Sequence, residues 1–296
     1  MQMLESRSAA LPRVFGMLVV ILSALAGVAL LVYPLAMSHW NNNKQLELAQ
    51  LFEENNQNTQ PAILQEQLDS AHEYNRLNTG GPLSDPWLSR VSEGSDNYRA
   101  YLSELSGQSV MARLVIPAID VDLPVYHGTT ERTLAKGIGH LFGSQLPVGG
   151  PGTHALLTGH TGIPEATLFD NLDQLEIGDA FYISVAGEHL KYEVSELDVV
   201  LPNETETLRP VVGEDLVTLI TCTPYGINTH RLLVTGHRVE MDPAQEIESV
   251  TRVWTWWMYT LVAVVALLIL LILLFGRRVF LNQKATAETD LQEESS

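Results

Sequence analysis

One cysteine and few basic residues set the first limits on the chemistry of this 296-residue chain. A lone cysteine excludes an intrachain disulfide and a cysteine-rich metal site. The 17 lysines and arginines are outnumbered by 35 aspartates and glutamates, so the formal net charge is −18. Because cationic side chains supply most of the affinity for nucleic acid, we expect no nucleic-acid partner. No pair of histidines has metal-site spacing backed by a third ligand, so we expect neither a metal ion nor another cofactor.

Charged residues are missing altogether from two long apolar runs, 14–37 and 253–275. Each run is long enough to cross the roughly 30 Å hydrocarbon core of a bilayer as a helix. The lipid bilayer is therefore an expected partner. For the first run a cleaved signal peptide is the alternative, because Ala36-Met37-Ser38 supplies small residues at its end.

Pairs of arginines lie on the terminal side of each apolar run. Arg7 and Arg13 precede the first run, and Arg277 and Arg278 follow the second. The positive-inside rule then places both termini in the cytoplasm and residues 41–252 outside. The expected localisation is the cell membrane, with two spans and an extracellular domain.

The outside part changes character along its length. Residues 38–78 are mostly polar, with apolar residues near helical spacing, which predicts short helices broken near Pro61. Residues 79–90 are rich in Gly and Pro and predict a loop. From 109 onward, short apolar or alternating runs predict an antiparallel β-barrel or sandwich, with a helical turn at 166–175. These runs cover 110–116, 120–126, 137–142, 154–160, 180–186, 189–200, 216–222 and 230–239.

The lone cysteine, Cys222, lies at the end of a predicted buried strand and just before a turn. The commoner fate of a single cysteine is a buried, unreactive thiol. Strand ends that open into loops, however, are where scaffolds present reactive groups. Cys222 is therefore a candidate nucleophile, which acts as the thiolate and needs a neighbouring cation or base.

Arg231 and His160 are candidates for that neighbour. Arg231 begins the strand after Cys222, and in a hairpin those two positions face each other. His160 lies at another strand-to-loop edge, followed by Thr161-Gly162. Spacing alone does not select it, because six other histidines compete: His127, His140, His154, His189, His230 and His237.

A longer pattern around these residues resembles a known family. The segment from Thr221 to Val234 reads TCTPYGINTHRLLV and resembles the cysteine signature of class C, pilus-assembling sortases. Leu157-Thr158-Gly159-His160 looks like the catalytic-histidine motif of that family. Gly139-His140-Leu141 and Leu114-Val115-Ile116-Pro117 fit its early strands. The resemblance covers about 70–240.

The resemblance implies a mainly β fold, an eight-stranded sortase-type barrel with N-terminal helices, flanked by two transmembrane helices. It makes Cys222 the nucleophile, His160 the proton-transfer partner and Arg231 the group that holds substrate and oxyanion. Such enzymes cleave an LPxTG-like sorting signal between Thr and Gly and pass the acyl group to a lysine amine of another pilin. Pilin subunits with C-terminal sorting signals and an acceptor lysine are thus the implied partners.

Asp85-Pro86-Trp87 resembles the lid motif of class C sortases, in which the Asp reaches the catalytic Arg and the aromatic covers the Cys. A surface turn is the alternative, because Asp-Pro favours one.

For the whole chain, two alternatives stay open: a sortase that anchors proteins to the cell wall, and a catalytically silent adhesin or receptor barrel. The expected division is a cytoplasmic N-terminus (1–13), a transmembrane helix (14–37), a helical region (38–78), a lid loop (79–90), a catalytic barrel (91–245), a second transmembrane helix (253–275) and a cytoplasmic tail (276–296).

Overall fold

The computed structural model describes residues 2–78, 95–242, 247 and 256–293. Its helices are α1 (Gln2–Asn58), α2 (Pro61–Leu77), α3 (Asp96–Ser103), α4 (Glu131–Leu134) and α5 (Trp256–Glu293). Its strands are β1 (Ala112–Ile116), β2 (Val121–His127), β3 (Ile138–His140), β4 (Thr153–Thr158), β5 (Ala180–Val185), β6 (Glu188–Val200), β7 (Asp215–Thr223) and β8 (His230–Val239).

The eight strands close into one barrel, in the order β1-β2-β3-β4-β7-β8-β6-β5. This confirms the eight-stranded barrel that the sequence predicts. The expectation of purely antiparallel pairing is wrong at two places, because β2–β3 and β4–β7 are parallel. A parallel pair needs a long crossover, and residues 159–214 provide it between β4 and β7. Within the predicted helical turn at 166–175, a short 3-10 helix forms at Leu172–Gln174.

Apolar side chains from all sides of the barrel fill its interior. Phe181 of β5 stacks on Tyr192 of β6, with ring centroids 5.4 Å apart. Gly236 of β8 leaves room for this stack, since a Cβ there would lie 2.4 Å from a ring carbon of Phe181. The other fully buried residues of the barrel include Leu114, Ile116, Val125, Ile138, Leu157, Ile183, Val217, Leu219 and Val234.

The predicted helix break near Pro61 is correct, but the first helix is not short. Between Pro34 and Pro61 no proline or glycine interrupts the chain, and α1 runs without a break to Asn58. Pro61 then begins α2, where its missing N–H costs nothing because the first helical N–H groups have no partner within the helix.

The chain divides into two units, the terminal segments 1–37 with 254–296 and the barrel unit 38–253. In the terminal unit, the apolar part of α1 and residues Met258–Arg278 of α5 are long and apolar enough to cross a membrane. In the barrel unit, α2 packs Leu68 and Ala71 into the barrel's core cluster. Its Asn75 exchanges two hydrogen bonds with the backbone of Leu146, at 2.7 and 3.0 Å.

A fully buried histidine joins α3 to the barrel. His140 Nε2 faces the carbonyl oxygen of Gln145 at 2.8 Å, so this nitrogen carries the proton. Nδ1 therefore accepts from the Tyr101 hydroxyl, which lies 3.0 Å away and itself accepts from the Gly128 amide at 2.9 Å. Burial lowers the pKa of His140 to about 4. The histidine of the Gly-His-Leu pattern is thus a structural group.

This buried histidine makes the barrel sensitive to acid. The pKa of His140 is depressed below an unfolded value of about 6.5, so its stabilising effect is complete above about pH 6.5 and is lost as the pH falls toward 4. Between pH 7.5 and 4.5 we expect a loss of about 2–3 kcal/mol in unfolding free energy from this residue. His140→Gln should lose correspondingly less over that range. Denaturant unfolding at several pH values measures the slopes, with the exposed His72→Gln as the matched control. Parallel slopes for wild type and His140→Gln would contradict the assignment.

Candidate active site

The end of β7 lies between β4, its parallel neighbour, and β8, its antiparallel neighbour. The candidate residues come from β7, from β8 and from just beyond the end of β4. On one side, Cys222 is the register partner of Arg231 in β8, as the hairpin argument predicts. On the other side, the parallel register with β4 ends at Thr158 opposite Ile220. Continued by two residues on each strand, this register leads to His160 on one side and Cys222 on the other.

Two hydrogen bonds hold the His160 backbone against β7 beyond the end of β4. The Gly159 amide donates to the Ile220 carbonyl at 3.1 Å, and the Thr221 hydroxyl donates to the Gly159 carbonyl at 2.8 Å. Gly159 also permits a close approach, because a Cβ there would lie 2.7 Å from side-chain carbons of both Ile138 and Phe169. The structure therefore brings His160 to Cys222 through long-range strand pairing.

All three side chains are largely shielded from water. Cys222 is 9% exposed, Arg231 is 7% exposed, and the side chain of His160 is 13% exposed. Arg231 Nη1 donates to the carbonyl oxygens of Asn228 and His230 at 3.3 and 3.2 Å. These contacts limit the motion of the guanidinium, whose planar donors match a carbonyl or oxyanion.

Two acidic residues near His160 escaped the sequence analysis. Glu131, at the start of α4, places Oε1 3.4 Å from His160 Nε2. Its side chain is 84% exposed, so the contact adds little to the stability of the fold. Asp170 accepts from the Gly162 amide at 2.7 Å and from the Thr161 hydroxyl at 3.3 Å. Neither residue is adjacent to a motif, so nothing in the sequence pattern marked it.

The Asp170 carboxyl also links the His160 side of the site to the loop after Cys222. Burial raises the pKa of Asp170 to about 6, although its hydrogen bonds from Gly162 and Thr161 act in the opposite direction. Burial and the charge of Asp170 together raise the pKa of Tyr225. Gly162 has a φ of +75° and lies close to Gly226: a Cβ added to Gly162 would be 3.3 Å from the Gly226 amide nitrogen. The loop after His160 and the loop after Cys222 therefore pass close to each other.

The competing histidines have other neighbours. Only His230 also lies near the end of β7, where it is the register partner of Thr223 and its ring contacts the Thr229 hydroxyl. The remaining five are placed by their partners: His127 by the Glu104 carbonyl, His140 by Tyr101 and Gln145, His154 by Thr218, His189 by Ser184, and His237 opposite Leu216.

Comparison with known proteins agrees with the fold. The sortase domain family profile matches residues 114–239. The crystal structure of sortase C-1 from Actinomyces oris is 58% identical, with a TM-score of 0.58, and the match covers 60% of this chain and 99% of that one.

The chain belongs to the sortase family.

Further relatives place it near class C sortases. A crystal structure of Streptococcus pneumoniae sortase C, described in terms of catalysis and pilin substrate specificity, is 39% identical with a TM-score of 0.61. That match covers 66% of this chain and 97% of the other.

Sortase A of Bacillus anthracis is 31% identical over 137 residues, which are 46% of this chain, and the match spans 63% of that relative's length. The sortase-type barrel expected from the cysteine and histidine motifs is confirmed. Asp85 and Trp87, the expected lid residues, lie outside the described residues.

Proposed function

We propose that this sortase is a membrane-anchored cysteine transpeptidase that polymerises pilins. One observation carries the proposal: Arg231 is the register partner of Cys222, and Gly159, next to His160, is hydrogen-bonded to Ile220 and Thr221 of β7. A thiol, an imidazole and a guanidinium in shielded positions suit acyl transfer, which needs a nucleophile, a proton carrier and an oxyanion donor. The roles below follow the family resemblance.

In the first half-reaction, the Cys222 thiolate attacks the threonine carbonyl of an LPxTG-like sorting signal. The Arg231 guanidinium donates to the developing oxyanion. His160 gives its proton to the glycine nitrogen as the Thr–Gly bond breaks, and a thioester between Cys222 and threonine remains. A negative charge that develops beside preorganised donors is stabilised strongly, because those donors need no reorientation during the reaction.

In the second half-reaction, a lysine ε-amine of another pilin subunit attacks the thioester. The new isopeptide C–N bond forms as the C–S bond breaks, and His160 accepts the proton released by the amine. The cysteine leaves as thiolate, ready for the next sorting signal. The thioester conserves the free energy of the cleaved peptide bond, so no nucleotide is required.

The acceptor amine separates the proposal from its nearest alternative. A sortase that anchors proteins to the cell wall has the same three residues and uses a wall amine instead. The long cysteine motif and the similarity to sortase C structures from A. oris and S. pneumoniae favour a pilin lysine. A catalytically silent adhesin or receptor barrel is the third hypothesis, and it requires an unreactive Cys222.

Substitution of the three residues tests the mechanism. With full-length chain in detergent, a sorting peptide and a pilin domain that offers a lysine, we expect Cys222→Ala to abolish both cleavage and isopeptide formation. Arg231→Ala should lower kcat/KM for cleavage by about 100- to 1,000-fold, because the oxyanion loses its donor. His160→Ala should lose most activity. Mass spectrometry of the products identifies the acceptor.

Two controls complete this test. His237→Ala removes a histidine from the opposite end of β8 and should leave turnover close to wild type. A Cys222→Ala enzyme that still cleaves the peptide would refute the transpeptidase mechanism. Transfer to a wall peptide but not to the pilin lysine would support the anchoring alternative.

The lid remains a proposal from sequence. If Asp85 pairs with Arg231 and Trp87 covers Cys222, then Asp85→Ala and Trp87→Ala should each speed alkylation of Cys222 by small thiol reagents. A charge-assisted hydrogen bond and a sulfur–aromatic contact supply about 1–3 kcal/mol together, which limits the rise to about five- to hundredfold. The double variant should add little, and Ser89→Ala in the same loop is the control. Equal rates in all variants would mean that 79–90 is an ordinary loop.

The proposed topology has both termini in the cytoplasm and residues 41–252 outside, for the reason that the positive-inside rule gives. Protease treatment of protoplasts should then remove the outside part and spare a C-terminal tag. A tag inserted beside Val212, which is 99% exposed, is the control for outside accessibility. A C-terminal tag that is digested in intact protoplasts would contradict the topology, and a mature N-terminus near Ser38 would show that the first apolar run is cleaved.

A further inference from the structure

We infer that Asn42 of α1 is a positioning residue for His160, so that the N-terminal helix completes the active site from outside the barrel. The inference rests on the proposed function only in taking His160 as the proton carrier. It concerns the loop 161–170, which begins directly after His160, and the helix face that contacts it.

The base of this loop is fixed by the barrel and by the loop itself. The Phe169 amide donates to the His160 carbonyl at 3.0 Å, and Asp170 accepts from the Gly162 amide. Ala166, Leu168 and Phe169 are buried. The base thus returns to within one hydrogen bond of His160, so a shift of the loop acts on the histidine through the Phe169 amide.

The tip of the loop is held by α1. Asn42 Oδ1 accepts from the Thr167 amide at 3.0 Å, and Asn42 Nδ2 donates to the Thr167 hydroxyl at 2.7 Å. The neighbouring Asn41 Nδ2 donates to the Glu165 carbonyl at 2.9 Å. Asn42 is buried, so its two hydrogen bonds are shielded from competition with water.

The position of these asparagines is unfavourable for a helix on its own. Residues 41–43 are three consecutive asparagines within α1, and asparagine is a poor helix former. Two of the three reach the loop after His160, whereas Asn43 is exposed and contacts His39 one turn away. The contacts to the loop give a physical reason for asparagine at 41 and 42.

Other contacts hold α1 on the barrel independently of Asn42. Ala49 and Phe52 are buried, and Asn56 accepts from the Gln108 side chain at 2.7 Å. Glu53 lies 3.9 Å from Arg113, which also forms a buried bidentate pair with Asp122. Loss of the Asn42 side chain should therefore release the loop without detaching the helix.

Steady-state kinetics of the full-length chain with a sorting peptide tests the inference. Asn42→Leu keeps the volume but loses both hydrogen bonds, and we expect kcat to fall about tenfold with KM within about twofold, because a small misplacement of a catalytic group slows chemistry. Asn42→Asp should recover most of this loss, since a carboxylate accepts from both the amide and the hydroxyl of Thr167. Thr167→Val removes the hydroxyl from the loop side and should lower kcat in the same direction, even if Asn42→Leu folds poorly. The exposed Asn43→Ala is the matched control and should be unchanged.

The second arm combines Asn42→Leu with His160→Ala and measures residual cleavage and the rate of Cys222 alkylation. If Asn42 acts through His160, it should have no further effect in the His160→Ala background. Wild-type kcat in both Asn42→Leu and Thr167→Val, an equal loss in Asn43→Ala, or an undiminished Asn42 effect in the His160→Ala background would each overturn the inference. An inactive His160→Ala enzyme beside a fully active Asn42→Leu enzyme refutes this inference alone, whereas wild-type activity in His160→Ala refutes both it and the role proposed for His160.

Discussion

The hydrogen-bond ladder of β7 is the constraint on which the site depends. Its antiparallel pairing with β8 sets Arg231 opposite Cys222, and its parallel pairing with β4 leads the chain to His160 on the other side. Side chains alternate along a strand, so a slip of one residue in either ladder would turn Cys222 to the other face. The register is pinned by buried residues such as Val217 and Leu219, which fix which side faces the core. Packing inside the barrel thereby sets the geometry of the chemistry at its edge.

Buried polar contacts attach the N-terminal helices where apolar contacts alone would not define a position. The Tyr101–His140 bond fixes α3, the paired hydrogen bonds of Asn75 fix α2, and the hydrogen bond from Gln108 to Asn56 fixes α1. Apolar packing tolerates small shifts, whereas a directional bond buried in low dielectric does not. These helices are therefore held in defined places around the site.

Short alternating runs with regular turn signals record the period of a strand and so predicted a β-barrel or sandwich, and the family resemblance selected the barrel. The sequence predicted Cys222 opposite Arg231 because a hairpin is local. It left His160 among seven histidines, since the β4–β7 pairing joins residues about 60 positions apart and leaves no local trace. The length of α1 was also missed. Its buried face includes Ser38, Asn42, Gln45 and Asn56, so no apolar stripe marks it as a packed helix. Glu131 and Asp170 have no motif of their own, and only the folded chain shows what they touch.

The order of the strands along the chain also determines when the site is complete. Cys222, the proposed nucleophile, lies on the seventh strand and Arg231 on the eighth, while His160 follows the end of the fourth. During synthesis, a chain that stops before 230 has made Cys222 but lacks its antiparallel neighbour and the cation that strand carries. The three residues therefore come together only after the last strand has joined the sheet, so a chain that ends before residue 230 lacks the assembled site.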